Sequence, residues 1–236
     1  MKAKRAVFMA AGFGSRMVPV TLKMPKPLVP VHGQRIIDGL IDSCLAAGIE
    51  EIYIVRGYLG EKFDDLLTKY PNLKFIDNPY YETANNISSV FVARDYLEDA
   101  YVFEADLLIS NPTIITSEHE SSDFLAIPVE STDDWCFSSE EGFITGEFTE
   151  SAEPCHQMVG ISFWSAEDGR KLKEDVEDIF AREDGKQYYW EQIPLGVRKD
   201  RYRVAIRECR KEDIVEIDSF EELKALDESY ASWAEE

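Results

Sequence analysis

The sequence predicts a single α/β domain: a Rossmann-like, mixed but mainly parallel sheet flanked by helices, with an inserted region of mixed strands in its second half. Three observations point there. Apolar strand-like runs alternate with segments of helical periodicity from residue 6 to residue 109, the pattern of successive βαβ units. From Asp123 onward this rhythm gives way to several short strands in succession. No repeat, low-complexity stretch or linker divides the 236 residues, a length that suits one large domain over residues 1–236.

The elements follow in order. Ala6-Val7-Phe8-Met9-Ala10 reads as a buried strand that opens into Gly12-Phe13-Gly14-Ser15-Arg16. Ile36, Ile37, Leu40, Ile41, Cys44 and Leu45 recur at helical spacing and stop at Gly48, a C-terminal glycine stop. Residues 51–58 form a second strand; Phe63, Leu66, Leu67 and Tyr70 mark a second helix halted by Pro71. A third strand spans 73–76, a third helix 87–97 and a fourth strand 100–109. Beyond it, DFLAIPVE, FITGEF and MVGISFW read as antiparallel or mixed strands added to one edge. An amphipathic helix over 166–182 buries Leu172, Val176, Ile179 and Phe180. A shorter helix over 188–197, strands at 202–207 and 214–217, and a last helix over 220–226, started by Asp218 or Ser219 followed by Glu221 and Glu222, complete the chain.

Charge is unevenly spread. The 46 acids outnumber the 25 bases for a net charge of -21, yet Met1 to Ile37 holds seven Lys or Arg and no acid. An acid-free, glycine-bearing basic segment in so acidic a chain suits a bound anion. Glycines at a strand exit let backbone N–H groups close on a phosphate. Arg16 adds a planar fork and Lys26 a mobile point charge. Pro25 and Pro27 bracket Lys26 and are expected to hold it extended and aimed. A tight turn followed by a solvated basic loop remains the plainer alternative. A dinucleotide fingerprint is excluded because Met17 stands where its third glycine belongs, and a Walker A motif occurs nowhere.

The overall acidity argues against nucleic acid or an anionic membrane as partner. No run approaches the roughly 18 apolar residues of a membrane span. The four cysteines, Cys44, Cys136, Cys155 and Cys209, form no CxxC pair, so a reducing, cytoplasmic setting is expected.

Two acids close apolar strands. AYVFEADLLIS sets Glu104 and Asp106 on one face at a strand's carboxyl end, and IVEIDSF ends on Asp218. Mg2+ held by one or two carboxylates plus substrate phosphates is a common use for such acids; capping the next turn or helix is the other. Downstream, Asp133-Asp134-Trp135, Ser162-Phe163-Trp164 and Tyr188-Tyr189-Trp190-Glu191 set aromatics beside acids. Ring faces with nearby carboxylates suit an organic cation, a quaternary ammonium in particular; core filling is the alternative.

Gly12, Gly14 and Arg16 followed by Pro25-Lys26-Pro27-Leu28 resemble the signature of the sugar-nucleotide-type nucleotidyltransferases, which have a GT-A-like fold. With NNISS at 85–89, EADLL, the Asp-Trp of residues 134–135, GISFW, YYWEQ and VEIDS in order, nearly the whole chain is similar to the bacterial CTP:phosphocholine cytidylyltransferases. The resemblance implies a nucleotide-binding half over 1–110 and an acceptor-binding half over 111–236. It implies CTP held by Ala10, Ala11, Gly12, Gly14, Ser15, Arg16, Tyr58, Asn85 and Ser88, with Lys26 at the reacting centre. Mg2+ is expected on Asp106 and Asp218, and phosphocholine against Asp134, Trp135, Tyr189, Trp190 and Glu191. The same reaction on 2-aminoethylphosphonate, phosphoethanolamine or a sugar 1-phosphate is the first alternative, and a non-catalytic nucleotide-binding regulatory domain the second.

Overall fold

A computed structural model describes residues 1–235. The first strand, β1 (Arg5–Ala10), is followed by three single helical turns and a small hairpin of β2 (Pro30–Val31) and β3 (Gln34–Arg35). Helix α1 (Ile36–Ala46) leads to β4 (Glu51–Arg56), a 3-10 helix (Gly60–Thr68) and β5 (Lys74–Asp77). Then come α2 (Ile87–Ala93), β6 (Ala100–Glu104), β7 (Leu107–Ile109), β8 (Asp123–Val129), β9 (Cys136–Glu140), β10 (Phe143–Phe148) and β11 (Cys155–Trp164). Helix α3 (Ala166–Phe180), β12 (Ala205–Glu208), β13 (Ile214–Glu216) and α4 (Phe220–Leu226) complete the set.

Nine strands form one sheet in the order β5-β4-β1-β6-β11-β8-β12-β10-β9. The first four are mutually parallel, as the alternation of strands and helices predicts. β11 enters antiparallel between β6 and β8, so the second half is mixed. β9 also pairs with β11, so the last five strands curl back on themselves. That closure turns an edge extension into the wall of a cavity.

Period-two burial explains the layering. Phe8, Ala10, Ile52 and Ile54 face Ile37, Leu40, Ile41 and Cys44 of α1, with Phe8 stacked on Phe103 at 4.6 Å. The opposite face of β6 and β8, through Val102, Phe124 and Ala126, packs on Ile87 and Val90 of α2 and Leu172, Val176 and Ile179 of α3. Each fully buried Val, Leu, Ile or Phe among them contributes about 1.5–3 kcal/mol of transfer free energy, which fixes the carboxyl ends of β1, β4, β5 and β6 on one rim. The ends of two helices match their sequence signals. Gly48 adopts φ 78° beyond α1, and Ser219 caps α4 with Glu222 in a reciprocal capping box.

Several elements differ from expectation. The predicted helix around Phe63 is a 3-10 helix whose buried side chains are Phe63 and Leu66, an apolar stripe too narrow to hold a full α-helix on the sheet. The predicted strand over 100–109 breaks at Ala105-Asp106, and β7 leaves the sheet to pair with β13. The predicted helix over 188–197 shrinks to one wide π turn at Ile193–Val197. A C-terminal 3-10 segment (Glu228–Glu235), with no sequence counterpart, is pinned by Tyr230 donating to the Pro30 carbonyl at 2.6 Å. No helix among the described residues is long and apolar enough to cross a bilayer, and the four cysteines are free thiols.

Candidate active site

The loop after β1 carries the glycines and basic side chains expected to hold an anion. Gly14 sits at φ 61°, and a Cβ there would stand 3.0 Å from Thr21 and 3.1 Å from Lys26, so glycine is what lets the loop fold against the lysine. Lys26 is not extended as expected. It opens a single 3-10 turn in which the Leu28 N–H donates to the Pro25 carbonyl at 2.9 Å, and this bond outweighs the preference of a pre-proline residue for extended backbone. The turn buries all but 8 % of Lys26 and aims its ammonium inward.

There Lys26 Nζ donates to Asp106 at 2.7 Å and to Asp218 at 3.1 Å, while Arg16 donates to Asp218 at 2.7 Å. Two aspartates 112 positions apart in the chain therefore meet on one ammonium. The break between β6 and β7 presents Asp106, and the capping of α4 by Ser219 and Glu222 leaves the Asp218 carboxylate free for the site. Ala10, Gly12, Gly14, Ser15, Arg16, Lys26, Asp106 and Asp218 line this recess together.

Glu216, for which the sequence raised no expectation, joins them together with Glu104. Glu104, Asp106 and Glu216 each bring a carboxylate oxygen within 4.8 Å of the others. The signal for Glu216 was present, since it lies two residues before Asp218 on one face of an apolar strand, the spacing that picked out Glu104 and Asp106. Burial tends to lower the Lys26 pKa, but the charge of Asp106, and then that of Asp218, outweighs it and holds the ammonium above the ordinary lysine range. Burial acts to raise Asp218, and Lys26 overrides it, leaving Asp218 below the usual carboxylate range. Glu216 is pushed up to about 8 by burial and by the charges of Asp106 and Asp218. Asp106 Oδ1 is buried without a hydrogen-bond partner among the described residues. An orphaned carboxylate oxygen inside an acidic cluster fits a divalent cation bound through oxygen ligands.

Beside this recess lies a second one, lined by Ala11, Gly12, Phe13, Tyr81, Asn85, Ser88 and Asn78. Asn78 ties its floor together, accepting from the Tyr80 N–H at 2.9 Å and donating to Ser88 at 2.9 Å. Phe13, 44 % exposed, lies between Tyr58 and Tyr81 with ring centroids at 4.8 and 5.5 Å. Tyr58 does not reach the recess: its hydroxyl donates to the Thr21 carbonyl and its ring backs Phe13. The sequence placed Tyr58 in the site because it follows β4, but Tyr81 supplies the lining ring.

A third cavity, of about 520 Å3, is walled by the curled half of the sheet. Asp134, Trp135, Tyr189 and Glu191 line it as expected, joined by Glu147 and Met158. Arg16 lines all three spaces, so they form one cleft. Gly160, at φ 70°, faces this cavity, and a Cβ there would stand 2.4 Å from Glu104 Oε2. Trp190 is a correction. It is 2 % exposed, stacked on Phe124 and edge-on to Trp164 at ring-centroid distances of 5.9 and 5.8 Å, so it fills the core and does not line the cavity. Its backbone serves the site, donating to Asn86 Oδ1 at 2.8 Å; the Asn86 side chain in turn donates to Glu191 at 3.3 Å. Burial pushes Glu191 up to about 8 and Glu147 up to about 7.

Residues 5–131 match the family model described as Nucleotidyl transferase. The chain is 33% identical to 2-aminoethylphosphonate cytidylyltransferase of Lancefieldella rimae over 228 residues, 95% of this chain and 92% of the relative. It is 27% identical to choline-phosphate cytidylyltransferase of Streptococcus pneumoniae, over 95% of this chain and 97% of the relative. The solved structure of CTP:phosphocholine cytidylyltransferase from Streptococcus pneumoniae superposes with a TM-score of 0.88 at 26% identity, over 95% of this chain and 98% of that one.

Proposed function

Since the chain belongs to the nucleotidyl transferase family and is an enzyme of that type, we propose that it transfers CMP from CTP to a short molecule bearing a phosphate or phosphonate at one end and an ammonium at the other, releasing pyrophosphate. The observation that carries this reading is the polarity of the one cleft. Its first recess sets Arg16, Lys26 and the glycine-loop backbone around an acidic cluster, and its far cavity sets Asp134, Glu147 and Glu191 beside Trp135 and Tyr189. A triphosphate suits the first and an organic cation the second. Phosphocholine and 2-aminoethylphosphonate both have this outline.

In the reaction an acceptor oxygen bonds to the α-phosphorus of CTP in line as the bond to the bridging oxygen breaks, and pyrophosphate leaves with that electron pair. No covalent protein intermediate is needed, so the enzyme works by positioning and by neutralising charge. The glycine-loop N–H groups and Arg16 would hold the triphosphate. Lys26 would offset negative charge gathering on the α-phosphate. Asp106 and Asp218, which meet at Lys26, would hold Mg2+ together with Glu104 and Glu216, whose carboxylates cluster with Asp106; the ion when bound would supply charge neutralisation along the triphosphate. The Phe13 and Tyr81 rings would flank the cytosine, and Asn78, Asn85 and Ser88 would offer hydrogen bonds to nucleoside polar edges. Pyrophosphate release measured with each of the four nucleoside triphosphates and a panel of amine-bearing phosphates and phosphonates tests the proposal. Release confined to CTP and amine-bearing acceptors is expected, and release only with sugar 1-phosphates would refute it.

A further inference from the structure

Among the described acids lining the far cavity, Glu147 stands apart by a buried oxygen without a partner. Glu147 lies on β10, in the run Thr145-Gly146-Glu147-Phe148, and its carboxylate enters the cavity. Its Oε1 is buried with no hydrogen-bond partner, and among the described residues no cation pairs with it. Of the other acids lining the cavity, Asp134 and Glu191 are already engaged. Asp134 accepts from the Trp135 N–H at 2.7 Å and from the Gln157 side-chain amide at 3.2 Å. Glu191 accepts from Asn86 at 3.3 Å. A buried carboxylate oxygen left without a donor is costly, and in a ligand cavity the ligand can supply that donor.

The rings point the same way. A quaternary ammonium has no N–H and depends on aromatic faces around it. With Trp190 in the core, the two aromatics left are Trp135 and Tyr189, and these pack on each other at 5.4 Å and 56°, making one wall of the cavity. Glu147, Glu191 and the flexible Met158 line the same cavity.

Resting on the transferase reading above, we propose that the cationic end of the acceptor is a protonated primary amine, and that Glu147 is the specificity residue that selects it over a quaternary ammonium. The ammonium donates to Glu147 Oε1 and to Glu191, while the Trp135 and Tyr189 wall covers its carbon chain. A trimethylammonium in the same place leaves Oε1 without a donor and presses methyl groups on it.

The test is a methylation series: 2-aminoethylphosphonate and its N-methyl, N,N-dimethyl and N,N,N-trimethyl derivatives, each assayed with CTP for pyrophosphate release by wild type and by Glu147→Gln. In wild type kcat/KM falls along the series, with a drop of at least about 10-fold where the last N–H is lost. In the variant the primary amine loses about 10- to 100-fold, mainly in KM because Glu147 is remote from the reacting phosphorus, and the series flattens. Wild type using the trimethyl compound as well as the primary amine overturns the inference, whether or not the variant folds. So does a Glu147→Gln enzyme that loses all four compounds equally, which would make Glu147 a structural acid. Release with some acceptors in the wrong order refutes the role of Glu147 alone; no release with any acceptor refutes the transferase reading and this inference with it.

Discussion

Replacing Lys26 with Ala separates the two tasks assigned to that side chain. In the free protein Lys26 Nζ lies 2.7 Å from Asp106 and 3.1 Å from Asp218, and at an effective dielectric constant near 20 these contacts amount to about 6 and about 5 kcal/mol of gross attraction. Desolvating a nearly buried ammonium and two partly exposed carboxylates takes back most of that, leaving a destabilisation of about 3 kcal/mol on removal of the lysine. In metal-free buffer Lys26→Ala should therefore melt clearly below wild type. Added Mg2+ should raise the melting temperature of the variant more than that of wild type, because Asp106, Asp218, Glu104 and Glu216 then lack their buried cation. Turnover should not return with stability: with Mg2+ present and the fold intact, kcat should stay down by at least about 100-fold, the scale for losing one preorganised charge at a reacting centre. Scanning calorimetry with and without Mg2+, paired with a pyrophosphate-release assay, reads both effects. A Lys26→Ala enzyme within about tenfold of wild-type kcat would refute the catalytic role, since that loss is below the scale of a group acting on the transition state. A variant that melts like wild type in metal-free buffer would refute the stabilising one.

Asp106→Asn should abolish stabilisation by Mg2+, which for wild type at a hundredfold excess over Kd amounts to about 2.7 kcal/mol; undiminished stabilisation in a thermal-shift titration would remove Asp106 from the ligand set. Trp190→Ala should cost about 3–5 kcal/mol in urea unfolding, as for a large core side chain, and should shift KM for primary and quaternary acceptors together; selective loss of one acceptor would return Trp190 to the cavity wall. Burial holds the Glu147 pKa up to about 7, so its ionised form, and acceptor binding with it, should grow as pH rises through that value. The stability of the acceptor-free protein should move oppositely: from the ordinary carboxylate range to about 7 the folded state keeps a proton that the unfolded state has released, so stability falls as pH rises. The difference between wild type and Glu147→Gln isolates this dependence from that of Glu191, and identical pH profiles for the two would contradict it.

The parts of this molecule legible in the sequence are those set by local rules. Alternating apolar runs and helical periodicity gave the parallel half, Gly48 ended α1, and Ser219 with Glu222 opened α4. The first recess was legible because glycine, arginine and a proline-flanked lysine are rare in that order, and residues 1–37 hold no acid. What stayed hidden depends on register between distant segments. In Tyr188-Tyr189-Trp190 three large aromatics follow one another, and only the path of the chain decides that Tyr189 is 44 % exposed at the cavity while Trp190 is 2 % exposed in the core. Glu147 reads as one polar residue of an alternating strand until β9 closes on β11 and turns that strand's face into a cavity wall. Asp106 reads as a strand end, and the structure places it instead in a break between two strands belonging to different sheets.

The most direct test of the central claim is a balance of products in one vessel: enzyme, CTP, Mg2+ and 2-aminoethylphosphonate, followed by phosphorus NMR. The account predicts equal amounts of pyrophosphate and a CMP–phosphonate anhydride, appearing together and only when CTP, acceptor and Mg2+ are all present. Pyrophosphate accompanied by free CMP, or product formation undiminished by chelation of the metal, would contradict it.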